Sequence, residues 1–208
     1  MAWAVVIGTR FFREQEYTIA EVQMANRIEV REKAVVEDAG EVDQLWSVYS
    51  AAFTPLLAAT PMRHGSYSRP EFEELLRDPD FSKYIAYVGG DVAGLCVITT
   101  ALEKIPWIGH PYYAQRFAEL YARKRVFFLT GVVIHPAYQS TQRVGAVLLA
   151  KAVRSLGDEG VLCADYSENL RSGLRSFVER TLGRRSVEEV LDRQVFAAYA
   201  YRKKTREP

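Results

Sequence analysis

Polar and apolar residues alternate along several short segments of the chain, which is the period of β-strands buried on one face. Residues 27–36 show this alternation first, and residues 84–88 and 92–99 follow as two strand-like runs joined by the turn 89–91. Adjacent glycines in that turn permit the positive φ angles of a tight hairpin. Residues 126–134 are almost wholly apolar, which is typical of a central strand covered on both faces. The pattern therefore predicts a sheet that contains a hairpin and one buried strand.

Apolar residues at helical spacing predict five helices around these strands. Asp38 is placed as the N-terminal cap of the first helix, Pro55 as its end, and Pro70 in the first turn of the second. The helical segments cover about 42–53, 70–78, 112–124, 142–156 and 169–182. Three further strand-like runs lie at 161–164, 185–191 and 193–201.

The order of elements predicts an α/β chain of the mixed α+β kind. We expect a single domain at 27–201, with a central mixed sheet of about six to seven strands flanked by helices. An extra helix lies between the third and fourth strands. Residues 1–26 form an N-terminal extension of uncertain structure, and residues 202–208 form a polar tail. A chain of 208 residues is long enough to bury a core without disulfides or metal.

Composition narrows the classes of function. Lys and Arg number 27 against 26 Asp and Glu, so the net charge of +1 argues against a broadly basic nucleic-acid binder. No segment has the roughly 20 consecutive apolar residues of a membrane span, and the start of the chain does not resemble a secretion signal. We therefore expect a soluble cytoplasmic protein with neither nucleic acid nor membrane as partner.

The two cysteines, Cys96 and Cys163, each lie in an apolar strand-like run. Such residues are usually buried small hydrophobes in a reducing compartment, and a catalytic thiol is the alternative. With only three histidines in the chain, a Cys/His zinc site is not expected.

The segment 132–149 joins the buried strand to a helix through a loop of small and polar residues. A helix N-terminus after a strand presents unpaired backbone N–H groups and a partial positive charge, which suit a phosphate. Side chains that could add hydrogen bonds or charge there are Ser140, Thr141, Gln142 and Arg143. The alternative is an ordinary connection in which Ser140 or Thr141 caps the helix.

This segment, Val132-Val-Ile-His-Pro-Ala-Tyr-Gln-Ser-Thr-Gln-Arg-Val-Gly-Ala-Val-Leu-Leu149, resembles the acyl-CoA signature of the GNAT acyltransferase superfamily. The resemblance extends in element order over about 27–201. It implies acetyl-CoA or another acyl-CoA as co-substrate and no metal. It also implies that the strand backbone at Val132, Val133 and Ile134 contacts the pantetheine arm. The loop implied to hold the pyrophosphate comprises Gln139, Ser140, Thr141, Gln142, Arg143, Val144, Gly145 and Ala146, and Asn169 matches the asparagine that opens the following helix.

Two departures from the family pattern affect mechanism. With Gly145 as the final glycine of the motif, Arg143 takes the place of the first glycine. The tyrosine that protonates the departing thiolate in many relatives falls on Ser176 in this sequence. Tyr166 is the nearest tyrosine, as an acid or as a residue that only packs its ring.

Acyl transfer to an amine needs a neutral nucleophile, a polarised carbonyl and a route for protons. Candidate bases are Glu103, His110 and His135, each of which has a structural or solvated role as its alternative. Glu103 and His110 belong to a segment of about 25 residues between the third and fourth strands, which we expect to overhang the acceptor side. Its aromatic residues favour an ordered, functional segment.

Three hypotheses for function follow. The first is an N-acetyltransferase that transfers acetyl from acetyl-CoA directly to the amine of a small molecule or peptide. The second, prompted by the aromatic segment, is transfer of a longer acyl group from acyl-CoA or an acyl carrier protein. The third is a catalytically silent module that binds acyl-CoA. A homodimer is possible in this family, and the acceptor is not readable from the sequence.

Overall fold

The sheet is built around the predicted hairpin. The computed structural model describes residues 5–6, 28–54, 67–139, 143–166 and 189–193. Strand β3 (Phe81–Val88) pairs antiparallel with β4 (Asp91–Thr99). Gly89 and Gly90 between them have φ angles of +65° and +101°, so both positions of the tight turn need the freedom of glycine.

Four more strands of the described residues belong to the sheet. Strand β2 (Ile28–Lys33) pairs antiparallel with β3, and β5 (Val126–Ile134) pairs antiparallel with β4. Two short strands, β1 (Val5–Val6) and β6 (Val161–Ala164), both pair parallel with β5. Six strands of the sheet are described, but β1 lies in the N-terminal extension, so the predicted domain contributes five of them, slightly fewer than the predicted six to seven.

Helices cover both faces of the sheet. Helices α1 (Ala39–Phe53) and α2 (Arg69–Arg77) begin where predicted. The side chain of Asp38 caps α1 by accepting from the backbone N–H of Glu41 at 2.8 Å. Ser68 and Glu71 form a capping box at the start of α2.

The core divides into two clusters, one on each face. The α1 side contains Leu45, Phe72 and Phe128, each fully buried. The other side is closed by a helix that follows β5, described below, and its cluster includes Val132 and Leu148. The pairing of β4 with β5 skips Thr130, and this bulge reverses the alternation of β5, so that Val132 faces away from the side to which Phe128 points.

The segment between β4 and β5 is ordered but is not a single helix. A 3₁₀ turn (Leu102–Lys104) leads to α3 (His110–Arg116) and α4 (Ala118–Ala122). The continuous helix predicted over 112–124 is wrong at Phe117, whose φ of −123° lies outside the helical region. Phe117 packs against the core of the α1 side, and this packing outweighs helical continuity.

After β5 come α5 (Pro136–Gln139) and α6 (Arg143–Ser155). Val144, Leu148, Leu149 and Ala152 of α6 are fully buried against the sheet. The predicted helix 169–182 lies outside the described residues, as does all but the first position of the predicted strand 193–201. Residues 189–193 have no regular secondary structure, so the predicted strand 185–191 is wrong at residues 189–191. None of the helices in the described ranges is long and apolar enough to cross a membrane.

Candidate functional site

The outer edge of β5, away from β4, is shared between two partners. Strand β6 follows this edge from Val126 as far as Leu129, which pairs with Ala164. Beyond that pair β6 ends, while β5 continues for five more residues, 130–134, to the start of α5 and α6. The bulge at Thr130 lies at this point of separation. The strand that was predicted to contact pantetheine therefore parts from its parallel neighbour where it approaches the helix.

The N-terminal strand β1 lies along this second half of the edge. Val5 pairs with Val132 and Val6 pairs with Val133, in parallel. Both β5 residues and Ile134 are buried. A ligand that hydrogen-bonds to this edge of β5 would use the place that β1 holds.

The connection from β5 to α6 is held by its own side chains. The side-chain amide of Gln139 donates to the carbonyl oxygen of Ile134 at 2.8 Å, which closes the turn back onto the strand end. Arg143 is the first residue of α6, Val144 and Gly145 are buried, and Ala146 is exposed. Ser140, Thr141, Gln142 and Asn169 lie outside the described residues.

His135 has a structural role in this connection. Its Nδ1 accepts from the backbone N–H of Ala137 at 3.2 Å, and its own backbone N–H donates to the carbonyl of Ala93 at 2.9 Å. Its ring is 6.0 Å from that of Tyr138. An accepting Nδ1 is unprotonated, so this histidine offers only Nε2 for other contacts.

The other candidate catalytic residues are not brought together. Glu103 is exposed on the 3₁₀ turn, beyond the end of β4 that pairs with the beginning of β5, so most of the length of β5 separates it from His135. His110 is half-buried at the start of α3. Tyr166 packs its ring against the cluster on the α6 side, which supports the packing role that was one of its two interpretations.

The structure adds a residue that the sequence did not single out. Asp165 directly follows the last residue of β6, at the point where β6 leaves β5. Its Oδ1 is buried, as is the indole Nε1 of Trp107, and neither atom has a hydrogen-bond partner of normal geometry within the described part of the chain. The only sequence signal was an acidic residue immediately after a short apolar strand.

Burial sets the ionisation of the groups near this point. Burial raises the pKa of the Asp165 carboxyl to about 6, while the neighbouring indole N–H of Trp107 acts in the opposite direction. Burial also raises the pKa of the Tyr113 phenol and of the Cys163 thiol, each to about 12. Cys96 is fully buried with its pKa raised too. Protonated, buried thiols fit the interpretation of both cysteines as core residues.

A cavity of about 300 Å³ opens beside α3 and is lined by Tyr112, Gln115 and Arg116. It contains none of the candidate residues named above. No cluster of potential metal ligands occurs among the residues that the structure describes.

Comparison with known proteins gives matches among solved structures only. No protein-family model matches the sequence, and no curated protein matches it either. Among solved structures, an aminoglycoside acetyltransferase from an uncultured soil metagenomic sample, crystallised with sisomicin, superposes with a TM-score of 0.52 at 13% identity. The match covers 84% of this chain and 99% of that one. The same enzyme with trehalose gives a TM-score of 0.50 at 13% identity, over 83% and 98% of the two chains.

At such identity the likeness concerns the fold. It spans nearly the whole of the acetyltransferase, and the parallel strands that separate beside a helix N-terminus are part of this chain's own geometry. The chain therefore has the fold of the GNAT-type acetyltransferases that its sequence resembles.

Proposed function

We propose that this protein is an N-acyltransferase that transfers an acetyl group from acetyl-CoA directly to an amine. The observation that supports it most is the separation of β5 from β6 after Leu129, so that residues 130–134 extend beyond β6 to the N-terminal end of α6. An extended strand edge suits the amides of a pantetheine arm, and a helix N-terminus suits a pyrophosphate.

The residues of this region divide the binding of the donor between them. The backbone of Val132, Val133 and Ile134 would hydrogen-bond the pantetheine. The first turn of α6 from Arg143 to Ala146, with the preceding loop, would hold the pyrophosphate. Arg143 replaces a glycine of the family motif and supplies a guanidinium suited to phosphate oxygens. The buried Val144 and Gly145 keep this turn close to the sheet.

The donor and β1 compete in this proposal. Because β1 pairs with Val132 and Val133, it occupies the edge that the pantetheine would use. Binding of acetyl-CoA therefore requires β1 to leave, and the observed affinity falls with the fraction of molecules in which the edge is covered.

The acceptor in this proposal is a small-molecule amine. The aminoglycoside acetyltransferase of the same fold was crystallised in complex with sisomicin. In this chain the aromatic residues between β4 and β5 pack against the core of the α1 side, among them Trp107, Ile108 and Tyr113. Because these side chains contribute to the core, the structure gives no separate support to a long-chain acyl donor.

Isothermal titration with acetyl-CoA is the first test, and release of the CoA thiol across a panel of amines is the second. We expect binding below millimolar concentration and turnover with at least one amine. Arg143→Ala should weaken binding by about 10- to 100-fold, since a charge-assisted hydrogen bond is worth about 1.5–3 kcal/mol. Arg154→Ala, in the last turn of the same helix, is the matched control. Absence of binding at millimolar acetyl-CoA would refute the proposal, and binding without turnover would indicate a silent module.

A further inference from the structure

Helix α3 has two faces with different surroundings. Tyr113 on one face, and Phe117 directly after the helix, pack against the core on the α1 side. Three residues at helical spacing lie on the opposite face, where all are exposed and line the cavity of about 300 Å³: Tyr112, Gln115 and Arg116. The core therefore fixes the orientation of α3, and the outer face presents its side chains to the cavity.

The cavity side of α3 offers hydrogen-bond donors. Tyr112 contributes a phenol O–H, Gln115 a side-chain amide and Arg116 a guanidinium. Among the described residues, the only side-chain hydrogen bond of these three groups runs from Arg116 to Glu189, at 2.6 Å. An ionised carboxylate acts only as an acceptor, so a guanidinium flanked by two neutral donors suits it.

Glu189 pairs with the guanidinium without enclosing it. The side chains of Arg116 and Glu189 are 49% and 55% exposed. Ion pairs in such positions contribute about 0–1 kcal/mol, because water competes for both charges. A carboxylate in the cavity would gain the same guanidinium and would add the donors of Tyr112 and Gln115. It would therefore displace Glu189 at little cost.

Tyr113 connects the cavity to the point where β5 and β6 separate. Its ring is edge-on to Tyr112, with centroids 5.6 Å apart, and edge-on to Phe128 of β5 at 6.0 Å. Phe128 immediately precedes Leu129, at which the pairing with β6 ends. In the proposed function the pantetheine runs from α6 along residues 132–134, so its acyl end lies towards this separation. The cavity is thus one tyrosine ring away from the reacting end of the donor.

We propose that the cavity beside α3 binds a carboxylate of the acyl acceptor, and that Arg116 exchanges Glu189 for this group. The inference rests on the proposed acyltransferase function and adds a substrate class to it. The acceptor is an amine that carries a carboxylate at the far end of a chain long enough to pass Tyr113. Amines without an anionic group lack this contact and bind more weakly. Arg116 determines specificity in this role and takes no part in the chemical step.

A series of ω-amino acids of increasing chain length, each beside the n-alkylamine of the same length, provides the test. We expect kcat/KM of the wild-type protein to reach an optimum at one length of ω-amino acid. There it should exceed kcat/KM of the matched alkylamine about tenfold, because a guanidinium–carboxylate hydrogen bond is charge-assisted. Arg116→Ala should remove this advantage through KM alone, while kcat and the alkylamine kinetics change less than about twofold.

Removal of the other partner should act in the opposite direction. Glu189→Gln frees the guanidinium, so KM for the ω-amino acids should fall by about two- to fivefold. An ion pair with only a structural role would give both variants the same sign. Arg123→Ala is the matched control, because it removes a similarly exposed ion pair, with Glu159, from the same segment between β4 and β5. This variant should behave as wild type with both series.

Three results would overturn the inference. If ω-amino acids of every length react no better than the alkylamines, the cavity does not bind a carboxylate, and the acyltransferase proposal stands without it. If Glu189→Gln raises KM as Arg116→Ala does, the ion pair is structural. If the protein does not bind acetyl-CoA, the proposed function itself fails and the acceptor subsite with it. Titration with acetyl-CoA shows that third result separately, because it needs no acceptor.

Discussion

A carboxyl group whose pKa is raised by burial makes the stability of this fold depend on pH. Burial raises the pKa of Asp165 to about 6, whereas an unfolded chain has an ordinary aspartate near 3.9. The folded state thus binds the proton more tightly. The stability from this group is full below about pH 4 and is lost as pH rises through 6.

Asp165→Asn removes this loss. We expect the variant to exceed wild type in free energy of unfolding by about 1–2 kcal/mol at pH 7.5, with the difference vanishing near pH 4. Urea unfolding at pH 4.5, 6 and 7.5 measures it, and Asp158→Asn, at an exposed aspartate in the connection from α6 to β6, should follow wild type throughout. A difference that is the same at all three pH values would contradict the assignment of the titrating group.

Gly94 is the second residue that the geometry makes sensitive. A Cβ at this position would lie 2.8 Å from Cδ1 of Ile134 and 2.9 Å from the carbonyl oxygen of Val133. The methyl group can rotate away but the carbonyl belongs to the backbone, so β4 and the end of β5 would have to move apart. We expect Gly94→Ala to lose about 1–3 kcal/mol of stability and to weaken acetyl-CoA binding, because the shift occurs in the strand that leads to α6.

The matched control is Gly109→Ala. Gly109 has φ −83°, and a Cβ there meets nothing within 4 Å. Its stability should stay within about 0.5 kcal/mol of wild type. Thermal unfolding and titration of both variants make the comparison, and equal effects at the two positions would show that close packing at Gly94 is not the cause.

At the scale of elements, local signals predicted most of the fold. Strand β5 was predicted at both ends because a run of nine residues, apolar except for Thr130, stops at His135-Pro136. The β3–β4 hairpin was predicted because two adjacent glycines suit a tight turn. The break at Phe117 was missed because it depends on packing against a distant core.

Long-range contacts account for the rest. Strand β1 is two residues long, and nothing local shows that it joins β5 across more than 120 residues. The burial of the Asp165 carboxyl was equally invisible, since Trp107, which lies beside it, belongs to another part of the chain. The pantetheine-contacting role of Val132, Val133 and Ile134 stays a prediction, as do the roles of the loop residues.

Strand β1 gives the prediction that belongs to this scale. Deleting residues 1–8 frees the edge at Val132 and Val133, so we expect acetyl-CoA to bind more tightly. The gain is about tenfold if β1 covers the edge nine-tenths of the time. Titration of the truncated and full-length chains measures it, with deletion of the polar tail 202–208 as the control. Unchanged or weaker binding in the truncated protein would mean that β1 and the donor use different sites.

At the scale of the whole molecule, the sheet separates two tasks. In the proposed function, the donor lies along the end of β5 and against the helix N-terminus on the α6 side, and the α1 side, with the segment between β4 and β5, is left to the acceptor. The two sides meet where β5 parts from β6. Such an arrangement brings donor and acceptor together in one complex and needs no covalent carrier on the protein.

The nucleophilic side chains buried in the described core are consistent with direct transfer, because none of them is exposed to act as a covalent carrier. Cys96 and Cys163 are buried with raised thiol pKa, and the ammonium of Lys83, whose pKa burial lowers to about 8, donates to the carbonyls of Ala34 and Asp78. We therefore expect initial-rate plots that intersect as in a sequential mechanism, and no release of CoA thiol when acceptor is omitted.

Cys163→Ala should keep its rate within about threefold of wild type, since a core cysteine contributes packing and not chemistry. Intact-mass measurement after incubation with acetyl-CoA alone provides the independent check. A protein acetylated at a cysteine, together with parallel initial-rate plots, would replace direct transfer by a two-step mechanism.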